Sequence, residues 1–219
     1  MTRFARAVAH DFSSPLLAIR CFAQVLIENL HGSIGAEKLG YLGEIVDSAE
    51  RMQALNDGLV TWVRERNAPL DFTDVALDAV VADCIGDLTD RIADQGAVIT
   101  TSGLAVVRAD AAALSLMLGE LLDNALRYAD PGRRPVIDIH ASRSGDILTT
   151  VITDNGIGVQ DANRERAFGL FTRIEPGRDP GRAGVGLTLA RTIVERHGGR
   201  VWMEAGPEHG TKVIFTLRM

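Results

Sequence analysis

The run Asp154-Asn155-Gly156-Ile157-Gly158 closes an apolar stretch that begins at Val151. A carboxylate at the end of a buried strand can accept a hydrogen bond from an amino group such as that of adenine, and glycines beside it let a ligand approach the backbone closely. The same letters also spell an Asn-Gly β-turn. Upstream, in ELLDNALRY, Glu120, Asn124, Arg127 and Tyr128 fall at i, i+4, i+7 and i+8. On a helix they form one polar stripe, with Leu118, Leu121, Leu122 and Ala125 on the opposite, core-facing side. Oxygen ligands at i and i+4 can reach one hard cation such as magnesium, and Arg127 adds charge suited to phosphate. A solvated helix face has the same pattern. Downstream, Gly181, Gly184 and Gly186 lead into a helix that begins near Leu187, an arrangement that presents free backbone N–H groups and a positive dipole end to an anion. Before them, Phe168 and Phe171 stand among Arg, Gly and Pro, the composition of a mobile lid with apolar anchors.

These groups need a scaffold, and the pattern after residue 67 supplies a mixed one. Strand-like segments at 71–76, 97–101, 135–142, 147–154, 200–205 and 211–217 are interspersed with helical ones at Leu77–Asp94, Ala111–Tyr128 and Gly186–His197. Such a mixture predicts a two-layer α/β sandwich with a mixed sheet over residues 68–219. The preceding part reads differently. Ala5, Ala9, Phe12, Leu16, Ile19, Ala23, Leu26 and Leu30 recur at spacings of four and three, the seam of a coiled coil. After the small residues of LHGSIGAE, a second run follows through Leu42, Ile45, Ala49, Met52, Leu55, Leu59 and Trp62. Residues 1–67 therefore predict a helical hairpin, and Pro69 marks the boundary to the second domain. A lone hairpin leaves part of its seam uncovered. Pairing with a second copy into a homodimeric four-helix bundle covers it economically; folding back on the rest of the chain is the alternative. The whole is an α+β protein.

Composition removes several classes of function. The chain has 219 residues, 46% of them hydrophobic and 24% charged, with a formal net charge of -6. Proteins that neutralise phosphate backbones carry clustered excess Lys and Arg, so nucleic acid is not an expected partner. Cys21 and Cys84 lie far apart with no metal-ligand spacing, which fits a reducing compartment. No apolar run approaches the ~20 residues of a membrane span, and the N-terminus lacks a signal-peptide layout, so a cytoplasmic location without membrane contact by this chain is expected.

One histidine stands out in the first helix, in VAHDFSSPLLAI. With Ala9 in the seam, His10 lies one residue round and its ring is expected to be accessible. A neutral imidazole, with a reference pKa of ~6.5, keeps a ring nitrogen free to attack phosphorus, and a neighbouring carboxylate such as Asp11 can hold the other nitrogen's proton. Adjacent helix residues point roughly 100° apart, so that contact depends on rotamers. Pro15 removes a helix hydrogen bond and is expected to bend the helix beyond the histidine. An exposed helix histidine is also commonly no more than a solvated residue.

His-Asp-x-x-x-Pro on a helical hairpin, followed in order by ELLDNALRY, DNGIG, FGLF and GVG, resembles the transmitter part of sensor histidine kinases of two-component systems. The likeness runs from His10 to Leu217, and HDFSSPL with FGLFTRI resembles the phytochrome-like branch more than the commonest His-Glu-Leu-Arg-Thr-Pro branch. The second domain resembles the nucleotide-binding fold shared with gyrase B, Hsp90-type chaperones and MutL-type repair proteins. The resemblance implies that His10 accepts a phosphoryl group from ATP and passes it to an aspartate on the receiver domain of a response regulator. It implies that Asn124 ligates Mg2+ with help from Glu120, that Asp154 receives the adenine amino group, and that Gly156 and Gly158 line the base pocket. Tyr128 and Thr211 would stand near adenine, and Gly184 and Gly186, at the start of the helix near Leu187, would contact phosphates. Phe168 and Phe171 correspond to the family's phenylalanine box. Ser14 occupies the place where many relatives carry Thr, Asn or Gln to orient a hydrolytic water for dephosphorylating the partner; serine has a shorter reach and no amide. A histidine phosphotransfer or scaffold protein without ATP hydrolysis is the alternative reading.

Overall fold

The computed structural model describes residues 2–30, 34–174, 183–207 and 209–219, with side chains from Ser13 onward. The chain divides into two compact units, a helical one through Asn67 and a second made of Ala68–Ile174 with Gly186–Met219.

In the first unit α1 (Thr2–Leu30) packs along α2 (Ala36–Asn67) as a hairpin. α1 passes through Pro15 without ending, so the hydrogen bond that proline removes is lost inside a continuing helix. The expected seam divides into two sets. Leu16, Ala23 and Ala49 are buried within the hairpin, whereas Ile19, Leu26, Ile45, Met52 and Leu55 remain exposed. Ser13 ties the helices together, its Oγ accepting from Asn56 Nδ2 at 3.0 Å and facing Gln53 Nε2 at 3.4 Å.

The second unit has two layers. A five-stranded sheet is built from β2 (Val98–Ser102), β4 (Val136–Ser144), β5 (Ile147–Asp154), β6 (Val201–Ala205) and β7 (Thr211–Arg218), in the order β2-β4-β5-β7-β6. Only β2 and β4 run parallel; the other pairs are antiparallel. A separate ribbon pairs β1 (Thr73–Ala76) with β3 (Val106–Ala109). One face of the sheet is covered by α3 (Leu77–Asp87), α5 (Ala111–Arg127) and α7 (Gly186–Arg196), and the core lies between. Ile137 and Ile139 of β4, Leu148 and Ile152 of β5, and Phe215 of β7 meet Leu114, Met117, Leu118 and Leu122 of α5, and Ile193 of α7. Each of these fully buried side chains contributes about 1.5–3 kcal/mol by leaving water.

Two departures from the sequence pattern have local causes. The helix expected over Leu77–Asp94 is two, α3 and α4 (Thr89–Gln95), broken at Leu88. Gly86 weakens the last turn of α3, and the Thr89 hydroxyl donates to the Gly86 carbonyl at 2.7 Å, terminating the ladder there. β3 has four residues and pairs with one strand only, too little for a readable alternation. A short helix α6 (Asp161–Arg164) and a 3-10 turn at Arg166–Phe168 follow β5.

The chain enters this unit through a set of ties at the ends of α5 and α7. Asp110 caps α5 by accepting the Ala113 N–H on Oδ1 at 3.0 Å, and its Oδ2 accepts the Asp71 N–H at 2.9 Å. Buried His197, just after α7, accepts the Asp110 N–H on Nε2 at 3.0 Å. Its Nδ1 lies 2.7 Å from the Ile193 carbonyl, which fixes the proton on Nδ1. Phe72 meets the same ring edge-on at 5.2 Å, and Arg196 donates to the Ala68 carbonyl.

Candidate functional site

α5 delivers the polar stripe because its other side is wholly committed to the core: Leu118, Leu121, Leu122 and Ala125 are buried, as their spacing predicts. The helix ends at Tyr128, whose N–H donates to the Asn124 carbonyl at 3.0 Å while its own carbonyl accepts the Ile157 N–H at 3.0 Å. That last bond stitches α5 to the turn after β5. Gly156 is required at the crossing, since a Cβ there would lie 2.3 Å from the Tyr128 carbonyl oxygen.

Asp154 closes β5 half-buried, with Oδ1 accepting the Gly156 N–H at 2.9 Å and the Thr211 N–H at 3.2 Å. Among the described residues Oδ2 accepts no hydrogen bond. Burial pushes the carboxyl up to about 6, against the two backbone donors, which pull it down. Gly158 and Gly210 both adopt left-handed backbone, φ 73° and 93°, and a Cβ on Gly210 would lie 2.0 Å from the Asp154 carbonyl oxygen. Two loops thus meet backbone to backbone, and Thr211 is buried beside them. Asn155 has a structural task, its side chain accepting the Val136 N–H at 2.8 Å and donating to the Arg134 carbonyl at 2.9 Å.

The start of α7 meets the stripe of α5. A Cβ on Gly186 would lie 2.3 Å from Glu120 Oε2 and 3.5 Å from Asn124 Nδ2. The pair at i and i+4 and a helix N-terminus therefore share one spot. Magnesium usually takes one or two protein oxygens and completes its shell with water and phosphate, so Glu120 and Asn124 are a sufficient donor set. Among the described residues no group of three or more His, Cys, Asp or Glu gathers in a metal-ligand arrangement. Gly184 is also left-handed, at φ 66°. Leu187 is half-buried and packs against the core.

The phenylalanine pair divides. Phe168 is buried; its carbonyl accepts the Thr188 hydroxyl at 3.0 Å and the Arg191 guanidinium covers its ring at 4.3 Å. Arg191 also grips Glu165 with two bonds of 2.8 and 3.0 Å, holding that carboxyl below its usual range. Phe171 is 40% exposed, with φ 60°. Residues 175–182, including Gly181, lie outside the described residues, as do the side chains of His10 and Asp11; Ser14 is exposed on α1.

α5 carries one further acid that the spacing of the stripe did not single out. Asp123 is buried and ion-paired, Oδ2 to Arg127 Nη2 at 3.1 Å and Oδ1 to Arg91 Nη1. The i,i+4 relation to Arg127 was legible; the Arg91 partner, on α4, was not.

Residues 109–219 match the family model described as histidine kinase-, DNA gyrase B-, and HSP90-like ATPase, and residues 1–67 match the His Kinase A (phospho-acceptor) domain. The chain belongs to this ATPase family, joined to a phospho-acceptor domain as in histidine kinases. It is 31% identical over 218 residues to the methanogenesis regulatory histidine kinase FilI of Methanothrix harundinacea, covering 99% of this chain and 24% of that protein. It is 28% identical over 219 residues to the phytochrome-like protein Cph1 of a Synechocystis strain, covering 99% of this chain and 29% of that one. The chain thus spans about a quarter of the length of these curated relatives. Among solved structures, full-length ShkA in complex with AMPPNP aligns at a TM-score of 0.70 with 20% identity, over 99% of this chain and 46% of that one. The histidine kinase ThkA in complex with the response regulator protein TrrA aligns at 0.68 with 21% identity, over 99% and 61%. These two establish the shared fold.

Proposed function

We propose that the chain is the transmitter core of a two-component histidine kinase, with 1–67 the dimerisation and phosphotransfer hairpin and 68–219 the catalytic ATP-binding domain. The observation that carries this reading is the meeting of Glu120 and Asn124 with Gly186, on the same domain as an Asp154 whose Oδ2 has no partner among the described residues. Asp154 receives the adenine amino group on that oxygen, with Gly156, Gly158, Thr211 and Tyr128 forming the base pocket. Glu120 and Asn124 hold Mg2+, which when bound neutralises phosphate charge. Arg127 and the backbone N–H groups at Gly186 and Leu187 bind the phosphates, and buried Phe168 supports that helix start through the Thr188 hydroxyl.

A ring nitrogen of His10 attacks the γ-phosphorus; the bond from phosphorus to the bridging oxygen breaks, ADP leaves with that oxygen, and a phosphoramidate forms. Asp11 holds the proton on the other ring nitrogen. The phosphoryl group then passes to an aspartate of a response regulator's receiver domain, and Ser14 takes the position from which relatives orient a water to dephosphorylate that regulator, with a shorter reach and no amide. The exposed apolar stripe of the hairpin fits a second copy of the chain, giving a homodimer working in the cytoplasm. No described helix is long and apolar enough to cross a membrane.

Incubation with γ-labelled ATP and magnesium tests the reading. Wild type takes up acid-labile label, while His10→Ala and Asn124→Ala take up none. Equal labelling of His10→Ala, or acid-stable label, overturns it.

A further inference from the structure

α7 begins at Gly186, and glycine gives a helix start little stiffness of its own. The first N–H groups of a helix have no partner inside it, so a first turn that receives an anion binds best when something outside the helix holds it still. Two side chains of α7 supply such a hold, and both grip the 3-10 turn at Arg166–Phe168. Thr188, in the first turn, is 9% exposed and donates its hydroxyl to the Phe168 carbonyl at 3.0 Å. Arg191 follows three residues on, on the same face of the helix. Its guanidinium lies over the Phe168 ring at 4.3 Å and makes a forked pair of bonds, 2.8 and 3.0 Å, to the two oxygens of Glu165, the residue before that turn.

We infer that Thr188 and Arg191 are positioning residues for phosphate binding: together they fix the first turn of α7 to Phe168 and keep the N–H groups of Gly186 and Leu187 aimed at the anion. This rests on the nucleotide-binding role proposed above. Neither side chain touches the nucleotide in this scheme. Thr188 holds the turn directly, Arg191 holds it through the buried ring, and Glu165 holds the guanidinium flat over that ring. The competing role for Arg191 is that of a phosphate ligand resting on Glu165. The two roles differ in sign. An arginine that works by staying in place loses effect when Glu165 lets go of it; one that works by leaving gains.

The measurement is the affinity of the full chain for ADP with magnesium, and separately for adenosine, by titration calorimetry, with thermal melting to establish that each variant is folded. Thr188→Val removes the hydroxyl at nearly constant volume. It is expected to weaken ADP about fivefold, the scale of one neutral hydrogen bond, and to leave adenosine unchanged, while Thr188→Ser stays within about twofold of wild type for both. Arg191→Met keeps an apolar stem over the ring without the cation or the fork, and is expected to weaken ADP about threefold, again without effect on adenosine. Glu165→Gln is expected to bind ADP no more tightly than wild type. A gain in ADP affinity in Glu165→Gln would make Arg191 a ligand and overturn the inference. So would equal losses for ADP and adenosine, full ADP affinity in Thr188→Val or Arg191→Met, or a Thr188→Ser as weak as Thr188→Val. A wild-type chain that binds neither ligand would overturn the nucleotide-binding role itself, and this inference with it.

Discussion

Asp154 places both of its backbone donors on one oxygen and carries a carboxyl pushed up to about 6 by burial. A carboxyl whose folded pKa is raised favours the protonated protein. Its contribution to stability is complete below the unfolded pKa near ~3.9 and is lost as pH rises through about 6. Ligand binding has the opposite sign, because an amino donor favours the ionised oxygen. Nucleotide affinity is therefore expected to rise between about pH 5 and pH 7 and level off above. In Asp154→Asn the rise should vanish and the affinity above pH 7 should fall about tenfold, as for a lost charge-assisted bond; calorimetric titration across that range checks both. Asp154 was legible in the sequence because its constraints are local: a strand end, then glycines at fixed offsets. Asp123 was not, because its meaning depends on Arg91, 32 residues earlier, on a helix whose separate existence the pattern did not disclose.

At the scale of elements, α5 is fixed at both ends by the residues that connect it to other elements. Asp110 caps its first turn and also clamps the Asp71 N–H, while Tyr128 at the other end accepts from Ile157. Replacing Asp110 by Ala removes a cap and a cross-chain bond together, and is expected to cost about 2 kcal/mol in urea unfolding. Asp110→Asn, which keeps acceptor capacity, should cost less than half of that. If the two variants are equally stable, the carboxylate holds neither group. Helix periodicity located α5 and α7 nearly to the residue, since their apolar faces bury a continuous stripe. It could not anticipate that His197, at the end of one, would take up the N–H of the residue capping the other.

For the whole molecule, the hairpin presents an exposed row of large apolar side chains. Phe22 is 70% exposed, and Ile19, Leu26, Ile45 and Met52 accompany it. Leu16, Ile19, Ile45 and Met52 line an apolar cleft of ≈ 300 Å³. Surfaces of this kind are normally covered in water-soluble proteins. Sedimentation velocity is expected to give a dimer for the wild-type chain and a monomer for Ile19→Glu/Ile45→Glu, with the second unit's thermal transition retained. A wild-type monomer at micromolar concentration would remove the hairpin as a dimer interface. The seam's four-and-three spacing announced an apolar face; which of its residues the hairpin would bury for itself depended on how the two helices dock, and that lies beyond spacing.

The strand order of the sheet bears on how the chain is made. β7 is the last strand in sequence, yet it sits between β5 and β6 and supplies the Thr211 N–H to Asp154. A nascent chain emerging from the ribosome can pair β4 with β5 early, but β6 has no strand to join until β7 has been synthesised. The sheet and the Asp154 corner are therefore completed together, when β7 follows β6 out of the ribosome.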